Sequence, residues 1–539
     1  MKHYADNFAH GHLPPQDLQP DYILEHPDFR FPESLNCVER LLDQHIVNGH
    51  DERIAIRTFA QTWTYQDLFD KSNQIAHVLV EDMGLVSGNR VLIRSANNPM
   101  FVACWFAVLK AGGIVVATMP LLREKELTVM IDSAEISHAF CDVRLIDELN
   151  LVKSSFIRHI TEFDGSEQSI GKLERLMAGK PKTFKNYHTF ADSVALIGFT
   201  SGTTGKPKMT AHFHRDILLI CEAFPKYSLQ PAPEDIFTGS PPLGFTFGLG
   251  GLVLFPFYYG ASTFLIEKPT PELLLKAISD HKITICFTAP TAWRVITTLV
   301  KDYDISSLRR CVSAGETLPL KVWDDFYNAT GLKIIDGIGS TEILHIFISS
   351  HQDNMRAGAT GLPVNGYEAK IVDANGLALP PETPGRLAVR GITGCKYLNA
   401  PDKQQEYVEN GWNITGDVFK TDKDGYFWFV ARGDDMIISS GYNISAIEVE
   451  NVLLMHDDIA ECAVVGIPDE ERGMLVCAHI VLNDSSQLSD SKAKEIQDWF
   501  KNVAAPYKYP RDIHFTDALP KTETGKIQRF KLKTQHVNR

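Results

Sequence analysis

From about residue 50 the chain repeats one pattern that leaves few folds open: short apolar runs alternate with amphipathic helical stretches. "RVLIRSA", "GGIVVATM" and "SHAFCD" have the length and β-branched content of buried strands, while "YQDLFDKSNQIAHVLVEDMG" carries its apolar residues at helical spacing. Strands that alternate with helices build βαβ units, hence parallel sheets covered by helices on their faces. A second series follows, with strands expected over residues 261–266 and 283–288 and helices over 271–280 and 292–301. Beyond Pro380 the runs shorten and alternate ("GRLAVRG", "GYFWFVAR"), which predicts a small, mostly antiparallel unit. The last hundred or so residues combine a helix near 446–455, hairpin strands in "ECAVVGIPDEERGMLVCAHIVL" and a helix from Ser491. The expected fold class is therefore α/β, with a large N-terminal domain of stacked αβ subdomains plus a small β subdomain, then a small α+β C-terminal domain. The boundary is set at "ARGDDM", giving domains 1–432 and 433–539.

A chain of 539 residues needs more than one core, and 44% hydrophobic with 22% charged residues excludes extensive disorder. A net charge of −14 argues against nucleic-acid binding, which needs a basic surface to displace counterions. The uncharged stretch 236–266 has the length of a membrane span, but Pro241, Pro242, Pro256 and six glycines suit buried strands and a short core helix better, so no membrane span is expected. "MKHYADNFAH" has no apolar signal core, and nine cysteines lack paired spacing, so reduced thiols and a cytoplasmic location are expected.

"FTSGTTGKPKMT", residues 199–210, follows the apolar run 194–199 and concentrates glycines, hydroxyls and two lysines. A Walker phosphate loop would need glycine where Thr200 stands and a hydroxyl residue where Pro207 stands, so a P-loop NTPase is not expected. What remains is a loop of small residues, Thr200, Ser201, Gly202, Thr203, Thr204 and Gly205, whose amides and hydroxyls can wrap a polyanion beside Lys206 and Lys208.

Five further motifs follow in order: "SAGETLP" at 313–319, "DGIGSTE" at 336–342, "TGD" at 415–417, "RGDD" at 432–435 and "PKTETGKIQR" at 520–529. Together the six resemble the adenylate-forming superfamily of acyl-CoA synthetases, carrier-protein adenylation domains and luciferases, over nearly the whole chain. The chemistry that resemblance implies is attack of a carboxylate on the α-phosphate of ATP with loss of pyrophosphate. It assigns Thr200 through Lys206 and Lys208 to the phosphates, Thr341 to the α-phosphate, and Glu342 to Mg²⁺ as a hard oxygen ligand. Asp417 would take the ribose diol. Gly315, Glu316, Thr317, Asp336 and Gly337 would flank adenine, with Ile338 where relatives have an aromatic residue. Arg432 would contact ribose or phosphate, and Asp434 would be the pivot of a mobile C-terminal domain. Lys526 would bridge carboxylate and phosphate in the transition state, and Ser440 with Gly441 would line the path of CoA.

The acyl side falls, by the same resemblance, between "PPLGFTFGLGG" and "DGIGSTE", placing Phe245, Phe247, Gly248, Ala314, Gly339 and His345 around the acid. An aromatic wall broken by Gly244, Gly248, Gly250 and Gly251 suits a flat ring. "DGIGSTEILHIF", "AHFHRD" and the N-terminal "HLPPQDLQPDYILEHPDFRFPESLNCVERLLD" are similar to benzoate and 2-aminobenzoate CoA ligases. The expected activity is ATP-dependent conversion of an aromatic carboxylic acid to aryl-AMP, then to aryl-CoA, with ATP, Mg²⁺ and CoA required. Three alternatives stay open: loading of a carrier protein, activation of short- or medium-chain fatty acids, and non-catalytic binding of nucleotide or acid.

Overall fold

The computed structural model describes residues 4–166, 170–200, 207–433, 435–439, 442–469, 472–484, 488–521 and 527–537. The first αβ series forms a six-stranded sheet, in spatial order His159–Phe163, His138–Asp142, Arg90–Arg94, Ile114–Thr118, Val194–Thr200 and Lys208–Phe213. All its pairs are parallel except the last, where Val194–Thr200 turns back antiparallel onto Lys208–Phe213.

The second series forms a nine-stranded sheet whose middle, Ile236–Gly239, Ile285–Thr288, Arg310–Ala314 and Ile334–Gly339, is parallel. The two series are not cleanly sequential. Strands Ile54–Arg57 and Thr62–Thr64 leave the first series and close the edge of the second sheet, through parallel pairing of Ile56 with Thr263. Between the sheets' strands runs Pro99–Lys110, a helix with every residue buried. Its start is set locally: the Asn98 side chain accepts from the Phe101 amide at 3.0 Å, and Pro99 fills the first helical position, where no amide partner is needed. Helix Tyr65–His77 is capped by a reciprocal box, Thr64 Oγ1 accepting from the Asp67 amide and Asp67 accepting from the Thr64 amide.

The uncharged stretch lies in the core as strand Ile236–Gly239, helical segments from Thr246 to Tyr258 and strand Ser262–Phe264. No helix among the described residues is long and apolar enough to cross a membrane. After residue 366 a five-stranded antiparallel sheet is built from Tyr367–Val372, Gly385–Gly391, Val408–Glu409, Trp412–Thr421 and Phe427–Arg432. The last sheet, Met436–Ser439, Tyr442–Ser445, Ile459–Asp469, Gly473–Leu482 and Asp512–Phe515, packs a core of its own with helices Ala446–Leu453 and Asp490–Val503. It touches the larger part through Arg294, which donates to the Ala460 carbonyl at 2.6 Å and pairs with Glu461, and through Ser445 Oγ, which donates to the Val430 carbonyl. All nine cysteines are buried and unbridged.

Candidate active site

The antiparallel pair after Val194 sets Thr200 opposite Lys208, so the glycine-rich loop leaves and re-enters the sheet at that pair. Thr200 Oγ1 is buried without a hydrogen-bond partner among the described residues. The Lys208 ammonium lies 4.6 Å above the ring of Tyr397, a cation–π contact. Further along the same strand, His212 Nε2 meets the Thr341 carbonyl at 2.8 Å. Burial pushes the His212 imidazolium pKa down to about 3, so the ring is neutral and Nε2–H is the donor.

Thr341 and Glu342 leave strand Ile334–Gly339 in a tight turn, closed by the Leu344 amide donating to the Thr341 carbonyl at 3.2 Å. Leu344 adopts φ +76°, a left-handed backbone that costs a branched residue energy and recurs at functional turns. Glu342 is nearly buried, and its Oε1 accepts from the Tyr397 hydroxyl at 2.6 Å. Glu342 Oε2 has no hydrogen-bond partner among the described residues, which leaves one carboxylate oxygen open to a hard cation. Asp417 stands across from Arg432 in the antiparallel pair Trp412–Thr421/Phe427–Arg432, and Arg432 donates to its Oδ1 at 2.8 Å. Burial raises the Asp417 carboxyl, Arg432 opposes that shift, and the charge on Glu342 adds to it, so the two carboxylates share one field.

Gly315, with φ +93°, follows strand Arg310–Ala314 in a conformation suited to glycine. Ala314 pairs with Gly337 and Ser313 with Asp336 across the next parallel strand. Ser313 Oγ and Asp336 Oδ1 are both buried without hydrogen-bond partners among the described residues. Burial raises the Asp336 carboxyl to about 8, keeping it largely protonated at neutral pH. Ile338 packs partly buried against the main core, Gly339 is exposed, and Glu316 and Thr317 are half-buried.

A small, mainly apolar cavity opens on Thr341. Ala117, Leu196, Gly198, Leu243, Phe245 and Leu249 line it, and no charged residue does. Of the six expected acyl-site residues only Phe245 is in this lining. Phe247 and His345 instead join an aromatic cluster: His345 lies 6.0 Å from Phe247, 4.6 Å edge-on from Phe255 and 5.9 Å from Phe224. Its ring nitrogens have no hydrogen-bond partner among the described residues, and burial lowers its pKa to about 3. Of the glycines expected to open room for a ring, Gly244 lines the cavity, while Gly248, Gly250 and Gly251 serve close packing. A Cβ on Gly248 would meet the Pro242 carbonyl oxygen at 2.2 Å, and one on Gly250 would meet His345 Cδ2 at 2.3 Å. Gly198, which no motif singled out, is the glycine that gives Thr341 room, since a Cβ there would lie 2.7 Å from Thr341 Cγ2. Ser201, Gly202, Thr203, Thr204, Gly205, Lys206, Asp434, Ser440, Gly441 and Lys526 lie outside the described residues.

Residues 43–396 match the AMP-binding enzyme family, and residues 448–526 match the AMP-binding enzyme C-terminal domain. The chain belongs to this family and is an adenylate-forming enzyme of its acid–thiol ligase branch. It is 33% identical to the human mitochondrial acyl-coenzyme A synthetase ACSM3, over 87% of this chain and 83% of that one. It is 31% identical to benzoate–CoA ligase from Thauera aromatica, over 94% of this chain and 97% of the relative. Among solved structures, an anthranilate CoA ligase in complex with anthranoyl-AMP superposes with a TM-score of 0.89 at 32% identity, covering 95% of this chain and 99% of that one.

Proposed function

We propose that this enzyme condenses an aromatic carboxylic acid of the benzoate or 2-aminobenzoate type with ATP to give aryl-AMP and pyrophosphate, then transfers the aryl group to CoA. The observation that carries the reading is the uncharged, aromatic-containing lining that ends on Thr341, beside the polar cluster of Lys208, Glu342 and Asp417. A flat apolar acid suits such a lining, with its carboxylate at the polar end. The likeness to a structure that carries anthranoyl-AMP supports the same class.

In the first step a carboxylate oxygen forms a bond to the α-phosphorus, and the bond from that phosphorus to the β-bridging oxygen breaks. Lys208, with the loop from Thr200 to Lys206, faces the β and γ phosphates and follows the leaving pyrophosphate. The Thr341 hydroxyl would donate to the α-phosphate, and Glu342 would hold Mg²⁺ through the oxygen that Tyr397 leaves open. When bound, Mg²⁺ supplies positive charge against the triphosphate. Asp417, oriented by Arg432, accepts from the ribose hydroxyls. Adenine lies between Gly315, Glu316 and Thr317 on one side and Asp336, Gly337 and Ile338 on the other, with protonated Asp336 able to donate to a ring nitrogen. Lys526 enters from the C-terminal domain to bridge carboxylate and phosphate. Phe245, Phe247, Gly248, Ala314, Gly339 and His345 shape the acyl side, Phe245 directly and His345 through the cluster behind it.

In the second step the CoA sulfur bonds to the acyl carbon and AMP leaves. The C-terminal domain, from residue 433, pivots at Asp434 and brings Ser440 and Gly441 to the thiol's path. The nine buried, unbridged cysteines suit a reducing compartment, and the cytoplasm is the one proposed.

The test is to mix enzyme, Mg²⁺, ATP and 2-aminobenzoate or benzoate without CoA and analyse the quenched mixture by mass spectrometry. One equivalent of aryl-AMP per site, discharged to aryl-CoA and AMP on adding CoA, is expected. Neither aryl-AMP nor pyrophosphate from any aryl acid would overturn the reading, and octanoyl-AMP alone would move the substrate class to fatty acids.

A further inference from the structure

Tyr397 belongs to none of the six motifs, yet it touches two of the charged groups on which the proposed chemistry depends. Its hydroxyl donates to Glu342 Oε1 at 2.6 Å, and its ring face carries the Lys208 ammonium at 4.6 Å. Tyr397 is 1% exposed, and its bond to Glu342 is buried.

The residue is itself rigidly held. Its amide donates to Gln404 Oε1 at 2.8 Å, and Gln404 Nε2 in turn donates to the carbonyls of Cys395 and Leu18 at 3.0 and 2.9 Å. Residues 396–398 bond to the strand that begins with Lys208: the Ala211 amide donates to the Lys396 carbonyl and the Leu398 amide to the Met209 carbonyl, each at 2.9 Å. Fully buried Lys396 pairs with Asp216 at 2.9 Å on the helix that follows that strand. From the same strand His212 holds the Thr341 carbonyl. The phosphate-side lysine and the Thr341–Glu342 pair are thus tied to one stitched unit, and Tyr397 is the point where both charges meet.

A glutamate carboxylate has three side-chain torsions, and one strong hydrogen bond at Oε1 removes most of that freedom while directing Oε2 outward. A phenyl ring beneath Lys208 limits the ammonium to one side without neutralising it, which leaves its charge for phosphate. We propose that Tyr397 is a positioning residue that aims Glu342 and Lys208 together at the metal–triphosphate group, the hydroxyl acting on Glu342 and the ring on Lys208. The proposal rests on the reading of Glu342 and Lys208 given above.

Tyr397→Phe and Tyr397→Leu in the full chain separate the two actions. Metal binding is read by paramagnetic resonance of Mn²⁺ titrated into enzyme with ATP, and turnover by pyrophosphate exchange against Mg²⁺, ATP and acid. Partners that orient a metal ligand are typically worth about 10- to 100-fold in metal affinity or activity. Tyr397→Phe is expected to weaken Mn²⁺ and lower kcat by about that factor, leaving the KM values for acid and ATP within about twofold. Tyr397→Leu is expected to add a several-fold rise in KM for ATP. In a Glu342→Gln background, Tyr397→Phe should cost nothing more, because its only route is through the carboxylate.

If Tyr397→Phe kept wild-type metal affinity and kcat, or if its cost were undiminished in the Glu342→Gln background, the proposal would be overturned. A lower melting midpoint with unchanged metal affinity would likewise assign Tyr397 to packing alone. Wild-type enzyme that binds Mn²⁺–ATP but exchanges pyrophosphate with no acid would overturn the proposed reaction while the metal titration still decided the role of Tyr397.

Discussion

Replacing Lys396 by methionine tests how the site is anchored, because this lysine and Asp216 are both fully buried. The substitution removes three bonds, from Nζ to Asp216 Oδ2 at 2.9 Å, to the Gly394 carbonyl at 3.2 Å and to the Tyr22 hydroxyl at 3.3 Å. Asp216 keeps the Phe213 amide on Oδ2, while its Oδ1, without a hydrogen bond among the described residues, faces the Arg215 guanidinium at 3.9 Å. Breaking a buried pair from one side leaves an uncompensated charge and costs about 3–5 kcal/mol. Unfolding entropy of about 2.1 cal/mol/K per residue over residues 1–432 gives about 0.9 kcal/mol/K, so the midpoint should fall by about 3–6 °C. The pH dependence has a defined sign. Burial alone would raise the Asp216 carboxyl, and Lys396 with Arg215 holds it below its ordinary value, so in the wild type its contribution is present above about pH 4 and lost below. Without Lys396 the burial effect dominates, Asp216 takes up a proton more readily, and the deficit should be smaller at pH 5 than at pH 8. Lys396→Met/Asp216→Asn, which also removes the charge, should recover more than half of the loss. Scanning calorimetry at the two pH values measures all three proteins. A single-variant loss under about 1 °C, or one independent of pH, would refute the reasoning.

Other consequences are more local. Asp417→Ala removes the acceptor that Arg432 orients and should raise KM for ATP about tenfold or more with a smaller change in KM for the acid, read by pyrophosphate exchange. Asp336 is raised to about 8 against an unfolded value of 3.8, so its stabilising contribution is full below about pH 4 and lost as pH rises through 8; Asp336→Asn should flatten the fall of the melting midpoint between pH 6 and 9. Gly198→Val would narrow the cavity against Thr341 and should lower kcat/KM for aryl acids at least about tenfold while affecting acetate less, measured in one competition assay.

The strands and helices of both αβ series were legible because their apolar periods are strong, and the helix ends at Asn98-Pro99 and Thr64-x-x-Asp67 carry their caps in the sequence. Asp417 and Arg432 were each legible as motif residues. Their mutual bond was not, since it depends on the register of two antiparallel strands. His212 stood in the quoted "AHFHRD" without a role, and Lys396, Tyr397 and Gln404 gave no signal, because each acts through contacts with residues far away in the chain, and nothing in "CKYLN" or "DKQQEY" marks a residue that will reach Glu342 or hold one that does. The left-handed Leu344 was invisible for a different reason: surroundings impose that backbone against the residue's own preference. Gly248 and Gly250 looked like openings in a pocket wall and are contact points, because glycine permits close approach by protein atoms as readily as by ligand. The exchange of residues 54–64 into the later sheet follows from parallel pairing, which local pattern does not specify.

The most direct test of the central claim is the formation of acyl-CoA and AMP across benzoate, 2-aminobenzoate, hydroxybenzoates, cinnamate, octanoate and acetate, each with and without CoA. The account predicts CoA-dependent turnover with aryl acids, at a kcat/KM at least about tenfold above octanoate and acetate. Equal or faster turnover of octanoate would contradict the aryl assignment, and aryl-AMP that CoA fails to discharge but a carrier-protein thiol does would place the acceptor thiol on a carrier protein.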